Sequence, residues 1–124
     1  PLVVVLPQTP GLSIVHETVY ENRLGFTDAL VEAGAHIQTF RECLGGSPCR
    51  FGRANYQHSA VISGPTPLQA AEITVPDLRG GFSYVIAALA AEGRSTVHGI
   101  DLIHRGYERF SEKLDNLGAV YKLP

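Results

Sequence analysis

His16-Glu17-Thr18-Val19-Tyr20-Glu21-Asn22-Arg23 leads through a helical pattern to Ala33-Gly34-Ala35-His36-Ile37. A looser copy follows, in which His98-Gly99-Ile100-Asp101 leads through Arg105 and a second helical pattern to Leu117-Gly118-Ala119-Val120-Tyr121. Each copy reads as strand, arginine-bearing turn, helix, Gly-Ala, strand, and a repeat of this size implies units that stack and bury a shared face. The register is imperfect, because Arg23 to Gly34 is two residues shorter than Arg105 to Gly118. The order of elements predicts an α+β fold with helices packed on mixed sheets.

Working outward, Leu12 to Val19 is β-rich after the Thr9-Pro10-Gly11 turn and reads as a strand. Asn22 is placed to cap a helix to about Ala33, ended by Gly34. Strands are expected over 35–40, 59–63, 71–75 and 95–99. Residues 41–57, with Gly45, Gly46, Pro48 and Gly52, break the pattern and read as a long loop. Asp77 stands at the N-cap of the clearest helix, whose stripe is Leu78, Phe82, Val85, Ile86 and Leu89. A last helix is expected over 106–117, with Tyr107, Phe110, Leu114 and Leu117 on one face, followed by a closing strand over 119–123. Gly80-Gly81 reads as a place where backbone comes close to a ligand or a neighbouring element.

The 124 residues, 44% hydrophobic and 18% charged, suit one compact domain. A net charge of −2 without a basic run gives no reason to expect nucleic acid or an anionic membrane as partner. The apolar run Pro1 to Leu6 lacks a charged flank and a cleavage site, so it does not read as a signal peptide. It looks like the tail of a longer element, and self-association through such an exposed surface is expected. Two cysteines without a signal favour a reducing cytoplasm. Cys43, Cys49 and His58 could hold a metal, but their spacing matches no standard zinc pattern and a fourth ligand is not evident. Free thiols in a loop are the preferred reading.

Two arginine segments point to chemistry. Asp77-Leu78-Arg79-Gly80-Gly81 and His104-Arg105-Gly106-Tyr107-Glu108-Arg109 each place an arginine near an expected helix start. Free N–H groups and a guanidinium fork there suit phosphate or carboxylate oxygens. On spacing alone, solvated or Asp-capped arginines explain the pattern better.

Glu17-Thr18-Val19-Tyr20-Glu21-Asn22-Arg23, Asp77-Leu78-Arg79 and Arg105-Gly106-Tyr107-Glu108-Arg109 together resemble motifs of the UDP-N-acetylglucosamine 1-carboxyvinyltransferase family. The resemblance covers nearly the whole chain apart from the 41–57 loop. It implies a transferase that moves the enolpyruvyl group of phosphoenolpyruvate to UDP-N-acetylglucosamine in peptidoglycan precursor synthesis, with no metal or redox cofactor. It implies a single partial domain supplying about two of the family's six repeats, as units of about 1–64 and 65–124, with the rest of the enzyme as its partner. By the same resemblance Arg79 and Arg105 hold phosphoenolpyruvate, Val19 contacts the nucleotide substrate and Arg23 stands at the cleft wall. Tyr20, Asp77 and Leu78 of these motifs count among the substrate-binding positions. The family's donor cysteine, lysine and base aspartate lie upstream of the matching segment, so this stretch alone is expected to be inactive, and neither Cys43 nor Cys49 inherits the donor role. His104 stands where the family has Asp. That substitution keeps two alternatives open, a transferase with a different acceptor and a non-catalytic anion- or nucleotide-binding paralogue.

Overall fold

The computed structural model describes residues 1–46 and 49–123; Ser47 and Pro48, inside the expected loop, and Pro124 lie outside the described residues. Strand β3 (Ser59–Gly64) is the centre of the first sheet. It is flanked by β1 (Gly11–His16) and β2 (His36–Phe40) in the order β1-β3-β2. Both pairings are antiparallel, with Val61 opposite Ile14 on one side and Gln38 on the other. Alternation sends Ala60 and Ile62 of β3 inward, at 0% and 1% exposure. They meet Ile37 of β2 together with Leu24, Leu30 and Ala33 from the segment that crosses the sheet. Leu12 and Ile14 point to the other face and stay exposed.

The expected helix from Asn22 to Ala33 forms in two pieces. Arg23–Phe26 is a 3-10 turn and α2 covers Thr27–Glu32. Buried Thr27 donates its hydroxyl to the Leu24 carbonyl at 2.7 Å, which fixes the junction between the pieces. The opening apolar run is also helical, with α1 spanning Leu2–Val5 and Val4 buried in the same core.

The second half is built on α3 (Leu78–Ala90), which joins β4 (Glu72–Thr74) to β5 (Thr96–His98) as a parallel pair. A parallel pair needs such a crossover, and the Asp77 cap starts it as expected. The Asp77 Oδ1 accepts from the amides of Arg79 and Gly80 at 2.7 and 2.8 Å. The buried face of α3 is not quite the expected stripe. Gly81, Ser83, Val85 and Ala87 are buried, whereas Leu78 and Leu89 remain exposed. The helix lies between two cores, giving Ala87 to the first and Val85 to a second made with Val75, Ile103 and Phe110.

Strand pairings of both kinds occur, one sheet being antiparallel and the other a parallel pair. Two sequence expectations need correction here. The helix expected over 106–117 starts later, as α5 (Phe110–Asn116), and a separate short helix, α4 (Asp101–Gly106), precedes it. The break falls where Arg109 adopts a left-handed φ of 52°, so Arg105 lies in the last turn of α4 and not at a helix start. Tyr107 and Phe110 nevertheless pack together, both against Phe82, at ring-centroid distances of 5.1 and 5.9 Å. Finally, residues 119–123 form no strand, because no neighbouring strand pairs with them; Val120 is 96% exposed. β-Propensity alone does not make a strand without a partner.

At Gly81, α3 presses on the second core. A Cβ there would sit 2.5 Å from Val75 Cγ1 and 2.6 Å from Ile103 Cδ1. Gly81→Ala is expected to destabilise the protein by about 1–3 kcal/mol through overpacking, despite the better helix propensity of alanine. A denaturant midpoint equal to or above that of the unsubstituted protein would contradict this contact.

Candidate functional site

The turn after β1 is held by a carboxylate. Glu17 Oε1 accepts from the amides of Val19 and Tyr20 at 2.7 and 3.0 Å. Asn22, at φ 51°, then reverses the chain into the 3-10 turn. This geometry presents Val19 and Tyr20 outward, at 61% and 45% exposure. The Arg23 guanidinium carbon lies 4.2 Å from the Tyr20 ring centroid, and that of Arg79 lies 5.2 Å from the same ring. One aromatic ring therefore gathers two of the expected site residues, one from its own turn and one from the start of α3. Each such contact is worth about 0.5–1 kcal/mol at an exposed position. Among the described residues, none of Arg23, Arg79 and Arg105 takes part in an ion pair, and all three are exposed. Two like charges beside one ring, with no carboxylate bound to either, make a positive corner suited to an anion.

Asp77 and Leu78 serve this corner by position. Asp77 is spent on capping α3, which sets the amides of Arg79 and Gly80 in the first turn. Leu78 lies against Gly106, where an added Cβ would come within 2.7 Å of Leu78 Cδ2. That contact brings the segment carrying Arg79 alongside the one carrying Arg105. His104, in place of the family Asp, packs its ring 6.0 Å from Phe110, with Nε2 3.4 Å from Ser111 Oγ. Tyr84 stands one turn along α3, and its hydroxyl is pushed above the ordinary tyrosine value by burial first and then by the carboxylates of Asp77 and Asp28.

The 41–57 loop holds features that the sequence did not reveal. Cys43 and Cys49 are joined as a disulfide, and no free cysteine remains, which corrects the reading as free thiols. His58 is buried, with Nε2 3.1 Å from Cys49 Sγ and 3.5 Å from Cys43 Sγ. The Tyr56 ring packs edge-on against Phe51 at a centroid distance of 5.2 Å, and its hydroxyl is raised above the ordinary value by desolvation first and then by the Glu21 carboxylate.

A family model described as EPSP synthase (3-phosphoshikimate 1-carboxyvinyltransferase) matches residues 8–114. The chain belongs to that family. It is 57% identical over 119 residues to a UDP-N-acetylglucosamine 1-carboxyvinyltransferase of Protochlamydia amoebophila, covering 96% of this chain and 26% of that protein. It is 52% identical over 120 residues to the protein of the same name from Chlamydia trachomatis serovar D, covering 96% and 27%. The chain thus spans about a quarter of the length of these relatives. In structure it is similar to the enolpyruvyl transferase NikO of Streptomyces tendae, with a TM-score of 0.74, 26% identity and coverage of 96% of this chain and 24% of that one. A likeness of that extent bears out the α+β strand-helix reading.

The Glu17 carboxylate is what shapes the turn under Tyr20. Glu17→Ala is expected to speed hydrogen exchange at the Val19 and Tyr20 amides by about tenfold, matching loss of roughly 1.5 kcal/mol of charge-assisted bonding, while Glu17→Gln keeps part of the protection. Unchanged exchange at both amides in the alanine variant would show that the turn holds its shape without the carboxylate.

Proposed function

We propose that this segment is part of a carboxyvinyltransferase that moves the enolpyruvyl group of phosphoenolpyruvate to UDP-N-acetylglucosamine, as its named relatives suggest. The observation that carries the reading is the pair of arginines gathered on Tyr20 in a chain of such high identity to those relatives. In this reading the segment is a single partial domain of two stacked units, about 1–64 and 65–124, working in the cytoplasm on a step of peptidoglycan precursor synthesis.

Arg79 and Arg105 hold the phosphate and carboxylate of phosphoenolpyruvate. Arg23, Tyr20 and Val19 form the wall that meets the uridine nucleotide, and Asp77 and Leu78 set the start of α3 against Gly106. Addition of the acceptor hydroxyl to the enolpyruvyl double bond gives a charged tetrahedral intermediate, from which phosphate leaves. Guanidinium groups fixed before the reaction stabilise that charge without reorganising. The proton donor and base come from the remainder of the enzyme, which is this segment's partner.

The Leu78–Gly106 contact supports a shared site, because it keeps the two arginine segments side by side. Arg105 approaches from the end of α4, so it contributes its guanidinium and not a helix N-terminus. His104 favours a second reading, a transferase with a different acceptor, since it removes an anionic neighbour of Arg105 and ties that position to Phe110 and Ser111.

In the intact protein, Arg79→Ala and Arg105→Ala should each weaken phosphoenolpyruvate binding by about 10- to 100-fold, the loss of a charged hydrogen bond of roughly 1.5–3 kcal/mol. Arg→Lys should restore only part, since an ammonium cannot reproduce the two-pronged contact. Unaltered affinity in both alanine variants, measured by titration calorimetry, would end the shared-anion assignment. Release of phosphate with UDP-N-acetylglucosamine as acceptor, and not with other sugar hydroxyls, distinguishes the first reading from the second.

A further inference from the structure

His58 is 1% exposed, and its ring is fixed from two sides. Phe51, itself buried, packs edge-on at a centroid distance of 5.9 Å. The Tyr56 carbonyl lies 3.2 Å from Nδ1. A carbonyl can only accept, so Nδ1 donates to it, and in the neutral tautomer this turns the Nε2 lone pair toward Cys43 and Cys49. A disulfide sulfur has no proton to give, so in the bonded form this buried lone pair faces two sulfur atoms and finds no donor. Buried acceptors left without a donor are uncommon and costly. What completes the arrangement is a cation, or the protons of two thiols, between the sulfurs and Nε2.

We propose that the reduced Cys43–Cys49 pair and His58 form a binding site for a zinc-class divalent cation, which stands in place of the disulfide. The three donor atoms already lie within 4.8 Å of one another. Zinc bonds of about 2.3 Å to sulfur and 2.0 Å to nitrogen put sulfur and nitrogen about 3.6 Å apart in a tetrahedron. The observed 3.1 and 3.5 Å require only that the sulfurs separate once their bond is broken. The Nδ1 bond to a backbone carbonyl is the usual outer support of a zinc-binding histidine. The Cys49 amide donates to Cys43 Sγ at 3.2 Å, a contact that stabilises a thiolate.

The loop is shaped for this approach. A Cβ on Gly52 would stand 3.2 Å from Cys43 Sγ and 3.4 Å from the Cys49 carbonyl, so a side chain there would crowd the donors. The Ser59 hydroxyl donates to the Glu42 carbonyl at 2.8 Å and anchors the residue next to Cys43. On the open side, Glu42, Arg50 and Arg53 line a cavity of about 510 Å³ that leaves room for water as the fourth ligand. A tetrahedral ion with three protein ligands and one open position results.

Conversion between the forms balances simply. Two electrons and two protons from a dithiol reductant, which closes to its own disulfide, break the Sγ–Sγ bond and leave two thiols. The cation then displaces both thiol protons to solvent and binds Nε2 without a further proton change.

The test uses the untagged intact protein, reduced with a phosphine and passed over a desalting column after addition of Zn²⁺. One equivalent of zinc should remain bound, and Co²⁺ in its place should show sulfur-to-cobalt charge-transfer absorption. Cys43→Ser and Cys49→Ser should each abolish retention, and His58→Gln should weaken it by about 10- to 100-fold, the scale on which a lost metal-site partner acts. Because a buried histidine variant can fail to fold, the unsubstituted protein carries an independent arm. Its reduced form should melt higher with Zn²⁺ than with a chelator, as binding to the native state alone requires. Failure of the reduced protein to retain zinc, the same melting temperature with and without the ion, or full retention in the Cys43→Ser/Cys49→Ser double variant would each overturn the proposal. These readouts are independent of phosphoenolpyruvate binding, so they stand or fall apart from the assignment of the arginine corner.

Discussion

The pairing of β3 with a neighbour on each side is the constraint on which the remaining arrangement depends. Its register with β1 decides where that strand ends, at His16 opposite Ser59, and therefore where the turn carrying Tyr20 begins. Its register with β2 decides where the 41–57 loop must return to the sheet, at Ser59 opposite Phe40. The Glu17 amide donates to the His58 carbonyl at 2.8 Å, so the arginine-bearing turn and the cysteine loop are joined at the same end of one strand. A slip of one residue would turn Ala60 and Ile62 out of the core, and burial of these two side chains holds the register against it.

From that end of the sheet, charge is assembled by contacts of different kinds. Tyr20 offers the faces of one ring to guanidinium groups supplied by the first turn and by α3. Asp77 neutralises the first amides of α3 and leaves its neighbour Arg79 without an acidic partner. Arg109, by contrast, is spent on a surface pair with Glu112. Arg105 is exposed and takes part in no ion pair among the described residues. The sequence motifs are thus separated by role: one arginine closes a helix turn, and others remain available to an anion.

Periodicity and capping chemistry made much of this legible. The Asp77 cap and the following apolar spacing located α3, and β-rich runs bounded by turn residues located the strands of the first sheet. The break between α4 and α5 was not legible, because Tyr107, Phe110 and Leu114 keep helical spacing across it. The left-handed turn at Arg109 is a backbone choice that apolar spacing does not record. Residues 119–123 carried strand propensity, but a strand exists only with a partner, which propensity does not supply. At the site, the motifs located Arg23 and Arg79, yet the approach of Arg79 to Tyr20 is a tertiary contact between distant segments. Cys43, Cys49 and His58 stood out as a possible ligand set, but their spacing fits no standard pattern, and only the fold shows the disulfide and the burial of His58 beside it.

The contact between Leu78 and Gly106 has a consequence for how such a chain can change. A bulkier residue at 106 needs a smaller one at 78, because both draw on the same few cubic ångströms between α3 and α4. The two positions therefore share a single allotment of volume, and a neutral substitution at one becomes permissible only after the other has moved. Since each adjoins one of the two arginines proposed to share an anion, drift in this pair is coupled to the spacing of the segments that carry them. The site is thereby insulated from gradual change at either position alone.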